Sequence, residues 1–396
     1  MQPPFERGIV QAVLDGCART PDLLQVVTGP RQVGKTTAAH QVAARWEGPV
    51  RYQAADQFLP PGPEWIHAVW ELARRDAARV GKPVLLVLDE VQKARDWSEA
   101  VKAEWDEDRR MGAPVRGVLL GSSALLLARG TTESLAGRFR LHRCPHWSYP
   151  ECRDAFGWDL DIWLWKGGYP GVAQFGDDDE GRRAYVRDAL VEAVLARDVL
   201  SLEPVNKPAL LRQLFGLTCR YPAQILACNK MLGQLHDAGN TTTLAHYLDL
   251  LGRAFLVSGL APYATSVRQR AGSPKLVLWN SALITAFDPR GFEAYRADAA
   301  GWGRLVENAV GAHLLNHLQG RGVQVGWWRD GDAEVDFVVA GAGAPLALEV
   351  KSGRPRSLSG LRAFTQRYPQ ARPLIVGQGG MPLEEFFSME AGEILR

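Results

Sequence analysis

No apolar run in the 396-residue sequence approaches the roughly 20 residues that span a bilayer, and no basic-then-apolar-then-small order opens it. A membrane span and a secretory leader are therefore not expected, and the expected location is cytoplasmic. Cysteine is scarce. Cys17, Cys144, Cys152, Cys219 and Cys228 are scattered, odd in number and without a CxxC pair. That excludes the usual zinc and thiol-exchange motifs and suggests reduced, buried thiols. Net charge is small, at +2, which excludes a uniformly basic surface but leaves a local basic patch open. Internal repeats and low-complexity tracts are also lacking. What is present is 46% apolar and 23% charged residues, the balance of a globular protein, in a chain long enough for two or three domains.

Up to about residue 145, helical periodicity alternates with short apolar runs, as in an α/β domain around a parallel sheet. The clearest buried strands are residues 23–28, 84–88 and 115–120. A polar, loop-like stretch at 142–148 leads into a helical connecting region, 146–204, broken by Gly167-Gly168-Tyr169-Pro170 and by acidic residues 177–180. Residues 205–285 read as two short helices, a third after Asn240, and then apolar strands, the order of a winged helix-turn-helix. A third region, 300–396, opens with a helix carrying Leu305, Val306, Val310, Leu314 and Leu315, and continues with strands near 324–329, 333–340 and 345–351.

The strongest motif is Gly29-Pro30-Arg31-Gln32-Val33-Gly34-Lys35-Thr36, a gapless GxxxxGK[ST] between an apolar strand and a helix-compatible run, with Thr37 following. Glycines let the backbone wrap so that N–H groups and the helix N-terminus face a β-phosphate. Lys35 bridges the β- and γ-phosphates of ATP in this reading, and Thr36 coordinates Mg2+. A second apolar strand ends in Asp89-Glu90, which suits Asp89 as a water-mediated magnesium ligand and Glu90 as the base that polarises the attacking water. An adjacent acidic pair fits hydrolysis better than transfer to an organic acceptor, so a small-molecule kinase is disfavoured. Ser122 and Ser123 follow the next strand, with Ser123 taken as a γ-phosphate sensor; Arg138 is a candidate arginine finger or a surface arginine.

GPRQVGKTT, LDEVQKARDW, LLGSSALLL and ESLAGRF, in this order, resemble the AAA-type ATPases of the AAA_14 group that carry a DUF4143 C-terminal region. The resemblance continues through Gly168-Tyr169-Pro170, residues 196–199 and residues 303–308. It implies a P-loop AAA-type ATPase core (1–145), a winged helix and a restriction-endonuclease-like α/β terminal domain.

Two appended features leave function open. The helix expected at 241–253 carries His246 and Arg253 but few other basic groups, which is thin for groove reading. Residues 266–275 contain Arg268, Arg270 and Lys275 on a wing that could touch phosphate, or the module could pack as a lid. In the terminal region, Asp336 and Glu349-Val350-Lys351, with Glu307 upstream, resemble the PD-(D/E)xK nuclease pattern. A hairpin turning at 341–344 places Asp336 opposite Glu349, and with Glu307 these carboxylates could hold magnesium while Lys351 stabilises the transition state. The same register puts Glu334 opposite Lys351 as an ordinary cross-strand pair. Two functions follow: an ATP-driven enzyme on nucleic acid, DNA rather than RNA, with a nuclease site; or an ATP-operated switch read by a protein partner, with an inactive nuclease-like scaffold. An arginine finger at Arg138 acting in trans requires a homo-oligomer.

Overall fold

The apolar runs at 23–28, 84–88 and 115–120 become β1 (Leu24–Thr28), β3 (Val84–Asp89) and β4 (Val115–Gly121), and two more polar stretches add β2 (Val50–Ala54) and β5 (Phe139–Arg143). All five are parallel, in the order β2-β3-β4-β1-β5. Every residue of β1 and β3 is buried, as expected where helices cover both faces of a parallel sheet. Leu24, Val26, Leu86, Leu88 and Leu119 pack with Ile66, Trp70, Ala73, Trp97 and Val101 of α3 (Pro63–Val80) and α4 (Trp97–Met111). The alternate residues Val27, Leu85, Val87, Val118 and Leu120 are buried on the opposite face. α1 (Gly8–Ala18) and α2 (Lys35–Arg45) pack on each other, and both touch the sheet.

The computed structural model describes residues 5–19, 23–56, 60–121, 134–199, 205–236, 239–264, 272–353 and 358–396. They fall into two compact units, Met1–Pro145 and His146–Arg396. The loop expected from His142 onward instead begins two residues later, because His142 and Arg143 pair with Val27 and Thr28 as the end of β5.

In the second unit, α5 (Tyr149–Phe156) and α6 (Leu160–Lys166) lead to α7 (Pro208–Arg220), α8 (Cys228–Leu232) and α9 (Thr241–Arg253). Asn240 caps α9 by accepting from the Thr243 N–H at 2.8 Å. The hairpin β6 (Val257–Leu260) and β7 (Lys275–Leu278) follows, with Ile225 bridged to Lys275. Next come α10 (Ala299–Leu318) and the sheet of β8 (Gln324–Asp330), β9 (Ala333–Ala340), β10 (Leu346–Lys351) and β11 (Arg372–Gly377), in the order β11-β10-β9-β8. β8, β9 and β10 are antiparallel neighbours, and β11 joins β10 in parallel. α11 (Ser359–Arg367) covers Val338 and Ala347 through Leu361 and Phe364.

The stretches read as 146–204, 205–285 and 300–396 thus share one compact unit, and specific bonds explain why. The fully buried Asn308 of α10 bonds both the N–H and the C=O of Leu278, each at 2.9 Å, acting as a strand neighbour for β7. Gly311, one turn along, lies so close to the next layer that a Cβ there would meet Phe337 at 2.8 Å and Val277 at 3.0 Å. The Trp327 indole donates to the Leu260 carbonyl at 3.1 Å, tying β8 to β6.

One titration belongs to the first unit's core. His142 donates to the Gln25 side-chain oxygen at 2.8 Å, and burial, helped by Arg140, pushes its pKa down from 6.5 to about 4. The unfolded chain therefore takes up this proton first as pH falls, and stability is lost between about 6.5 and 4. Urea unfolding is expected to show a decline of up to about 1.4 kcal/mol per pH unit in that window, flattened in His142→Gln. An equal decline in the variant would remove His142 as its source.

Candidate functional site

The loop after β1 is shaped by its own backbone. Gly29 lies against β5's continuation, where a Cβ would meet the Cys144 carbonyl oxygen at 2.0 Å. Gln32 and Gly34 adopt φ of 59° and 88°, turning the chain so that successive N–H groups line a concave surface ahead of α2. This is an anion cradle at a helix N-terminus. The Lys35 ammonium, buried, donates to the carbonyls of Gly29 at 3.0 Å and Pro30 at 2.5 Å. It is therefore held over the loop, where phosphate oxygens would compete for the same protons. Pro30, Arg31, Val33, Thr36 and Thr37 complete the predicted nucleotide-binding stretch, and Thr36 and Thr37 are exposed at the start of α2.

β4 lies between β1 and β3, so the loop and Asp89 are separated by two strand spacings, roughly 10 Å. Thr36 closes that gap: its hydroxyl donates to Asp89 Oδ2 at 2.9 Å. Tyr52, from β2, donates to the same oxygen at 2.5 Å and stacks on His40, one turn beyond Thr36, with ring centroids 4.4 Å apart. Burial, then the bond to Asp89, raises the Tyr52 pKa, so the phenol stays a donor. Tyr52 was not singled out in the sequence; a tyrosine at a strand edge carries no motif. Asp89 is thus a buried carboxylate oriented by a threonine hydroxyl and a phenol, a hard oxygen set suited to Mg2+.

Glu90 follows in a left-handed conformation, φ 51°, which costs a non-glycine residue on the order of 1 kcal/mol and turns its side chain out of the strand line. Gln92 donates to its Oε2 at 2.9 Å, and Lys93 lies 3.6 Å from the same oxygen. Lys35, Thr36, Asp89 and Glu90 thus converge at the C-terminal edge of the sheet. β4 ends at Gly121, paired with Thr28, so Ser122 and Ser123 come next; they lie outside the described residues. Arg138 does not join this group. It precedes β5, its carbonyl bonds the Leu24 N–H at 2.9 Å, and it therefore sits at the opposite edge of the sheet. There its guanidinium grips both oxygens of Asp106, at 2.8 and 3.1 Å.

The terminal carboxylates come together as the register requires. Leu346↔Val339 and Leu348↔Phe337 put Glu349 next to Asp336, and Asp336 accepts from the Val350 N–H at 2.8 Å. Lys351 pairs with Glu349 at 2.5 Å, while Glu334 pairs with Arg329 on β8. The expected Glu334–Lys351 pair is therefore replaced by neighbours with shorter reach. A larger correction concerns Lys275. It was read as a basic group on a wing, yet it is fully buried, and Arg268 and Arg270 lie outside the described residues. Its ammonium is 2.5 Å from Glu307, 3.6 Å from Asp336 Oδ1 and 3.8 Å from Glu334, and it donates to the Asp336 carbonyl at 3.0 Å. Burial, opposed in part by Lys275, pushes Glu307 up, and burial followed by Asp336 pushes Glu349 up. Glu307, Asp336 and Glu349, the carboxylates expected to hold magnesium, thus lie around two lysine ammonium groups, Lys275 and Lys351. Among the described residues no three His, Cys, Asp or Glu side chains are grouped to hold a metal ion, and an ammonium stands between two of these three.

Three family models match parts of the chain. Residues 22–152 match the AAA_14 family, described as an AAA domain; residues 302–388 match DUF4143 and residues 157–293 match DUF8612, both domains of unknown function. The chain is therefore similar to AAA domains over residues 22–152 and to the DUF4143 family over residues 302–388. Uncharacterized proteins of Mycobacterium tuberculosis and Mycobacterium bovis are each 28% identical over 372 residues, covering 91% of this chain and 78% of theirs. Among solved structures, Aeropyrum pernix ORC1 in complex with DNA aligns at 14% identity and TM-score 0.32, covering 74% of this chain and 94% of that one. The Thermotoga maritima RuvB branch migration motor aligns at 15% and 0.33, covering 67% and 90%. AMPPCP-bound DnaA of Aquifex aeolicus aligns at 16% and 0.31, covering 63% and 89%. No helix among the described residues is long and apolar enough to cross a membrane.

On the magnesium-ATPase reading proposed below, the bond from Tyr52 positions Asp89 as a metal ligand, and Tyr52→Phe is expected to weaken the apparent magnesium affinity of nucleotide turnover by about tenfold. Metal-free nucleotide binding should change little. Unchanged magnesium dependence in a titration at saturating ATP would show that the phenol does not position Asp89.

Proposed function

We propose that this protein is a magnesium-dependent ATPase whose nucleotide cycle switches the state of the His146–Arg396 unit. The observation that carries the reading is the convergence of Lys35, Thr36, Asp89 and Glu90 at one sheet edge, with Thr36 bonded to Asp89 across an intervening strand. Bound there by Thr36 and Asp89, magnesium would offset charge on the β- and γ-phosphate oxygens. Loop N–H groups and Lys35 hold those oxygens, Tyr52 fixes Asp89, and Glu90 accepts a proton from the attacking water.

Arg138 serves the same reaction in a neighbouring copy in this reading. Its position at the far edge from its own phosphate loop favours action in trans over action in cis, with the guanidinium exchanging Asp106 for phosphate oxygens of the neighbouring copy. A homo-oligomer is the implied assembly.

For the second unit, the order α7, α8, α9, β6, β7, with Ile225 as a short third strand, supports a winged helix, and nucleic acid, DNA before RNA, as a partner. Cleavage by a nuclease-like terminal region is the weaker half. The carboxylates it needs are engaged with Lys275 and Lys351, which favours a scaffold read by the switch.

Glu90→Gln is expected to lower phosphate release by at least about 100-fold while ATP binding stays within about threefold; Lys35→Ala should lose both. A mixture of Lys35→Ala and Arg138→Ala chains should recover turnover that neither has alone, since one copy keeps an intact loop and the other an intact arginine. Full activity of Glu90→Gln would exclude it as the base. An inactive mixture would remove the trans role of Arg138. Turnover with and without duplex or single-stranded DNA distinguishes a nucleic-acid partner from a protein one.

A further inference from the structure

Lys275 is the first residue of β7, yet its side chain leaves the hairpin and ends among acidic groups of the terminal sheet and α10. An ammonium has three protons to place. One goes to the Asp336 carbonyl at 3.0 Å, one to Glu307 at 2.5 Å, and Asp336 Oδ1 and Glu334 lie within 4 Å of the same nitrogen. The face of Phe337, with its centroid 4.8 Å away, closes the remaining side. Such burial of a lysine is tolerated only with compensating charge, and the carboxylates supply it. The dependence is mutual, since Glu307 and Asp336, both half-buried, would otherwise lie close together with no cation between them.

We propose that Lys275 is the resident cation of this cluster, filling the place a divalent ion would take between Glu307 and Asp336, so that the cluster accepts a metal only when that side chain is removed. A small divalent ion requires oxygens at about 2.0–2.1 Å on several sides. The fixed ammonium occupies the approach to two of those oxygens and repels a second positive charge. Glu349, beside Asp336, has one buried carboxylate oxygen, Oε2, that receives no hydrogen bond among the described residues, a ligand atom ready if the ammonium is withdrawn. The inference concerns the second unit alone and holds whether or not the first unit hydrolyses ATP. It also gives the cluster a task other than cleavage: one side chain from the hairpin fastens β7 to β9 and α10 by charge.

The test uses the full chain without nucleotide and Mn2+ alone as probe, by calorimetric titration and thermal unfolding. Wild-type protein is expected to bind no Mn2+ that Asp336→Asn abolishes. Lys275→Ala should melt earlier than wild type, gain one Mn2+ site per chain at least tenfold tighter than any wild-type binding, and recover melting temperature as Mn2+ is added. Lys275→Ala combined with Asp336→Asn should lose both gains. Wild-type Mn2+ binding that disappears in Asp336→Asn would overturn the proposal, as would a folded Lys275→Ala chain that gains no site. If Lys275→Ala does not fold, the comparison of wild type with Asp336→Asn and Glu307→Gln decides alone, with binding sensitive to either substitution overturning it and binding indifferent to both supporting it.

Discussion

The hydrogen bond from Thr36 to Asp89 is the constraint on which the geometry of the first unit's candidate site depends. It joins the start of α2 to the end of β3 across β4, and so brings the phosphate loop and the acidic strand end to one point. The strand order makes that junction necessary, because neither β1 nor β3 is the other's neighbour. Burial of all residues in both strands keeps the two ends in register, and rigid strands are what a site needs when its groups must meet within a few tenths of an ångström. Tyr52 and His40 brace the junction from β2 and α2, while the left-handed turn at Glu90 sets the next carboxylate off the strand axis.

The second unit is organised by a different economy, in which polar groups are buried in matched sets. Asn308 completes the hydrogen bonding of β7 where a strand neighbour would otherwise be needed. Gly311 lets α10 come close enough for that amide to reach. Lys275 then answers the charge of Glu307 and Asp336, and Lys351 that of Glu349. These contacts bind the hairpin and the terminal sheet into one body, which is why stretches that read as separate domains share a core.

Local sequence made much of this legible. The phosphate loop is contiguous, and its strand-before, helix-after context is readable from apolar runs and glycine positions. The pairing of Asp336 beside Glu349 was also readable, because strand alternation and a short turn leave one register that buries Phe337, Val339, Leu346 and Leu348. α9 spans Thr241–Arg253, the range expected for the helix after Asn240. What could not be read were partners distant in the chain. Lys275 lies 61 residues before Asp336, and next to Pro274 and Gly272 it looks like any cation on a flexible turn. Tyr52 likewise meets Asp89 only because β2 flanks β3. β5 carries no apolar run, and its last residues His142 and Arg143 read as the start of a polar loop; pairing with β1 and the bond from His142 to Gln25 are what place them in a strand.

The central claim is that nucleotide chemistry in the first unit changes the state of the second. Hydrogen exchange across the full chain tests it directly, comparing Glu90→Gln held with ATP against the wild type held with ADP. The account expects slowed exchange at the phosphate loop in both, together with an ATP-dependent difference in the second unit, in the hairpin of β6 and β7 or in α10. Protection confined to the first unit, with identical exchange throughout residues 146–396 in the two states, would contradict it.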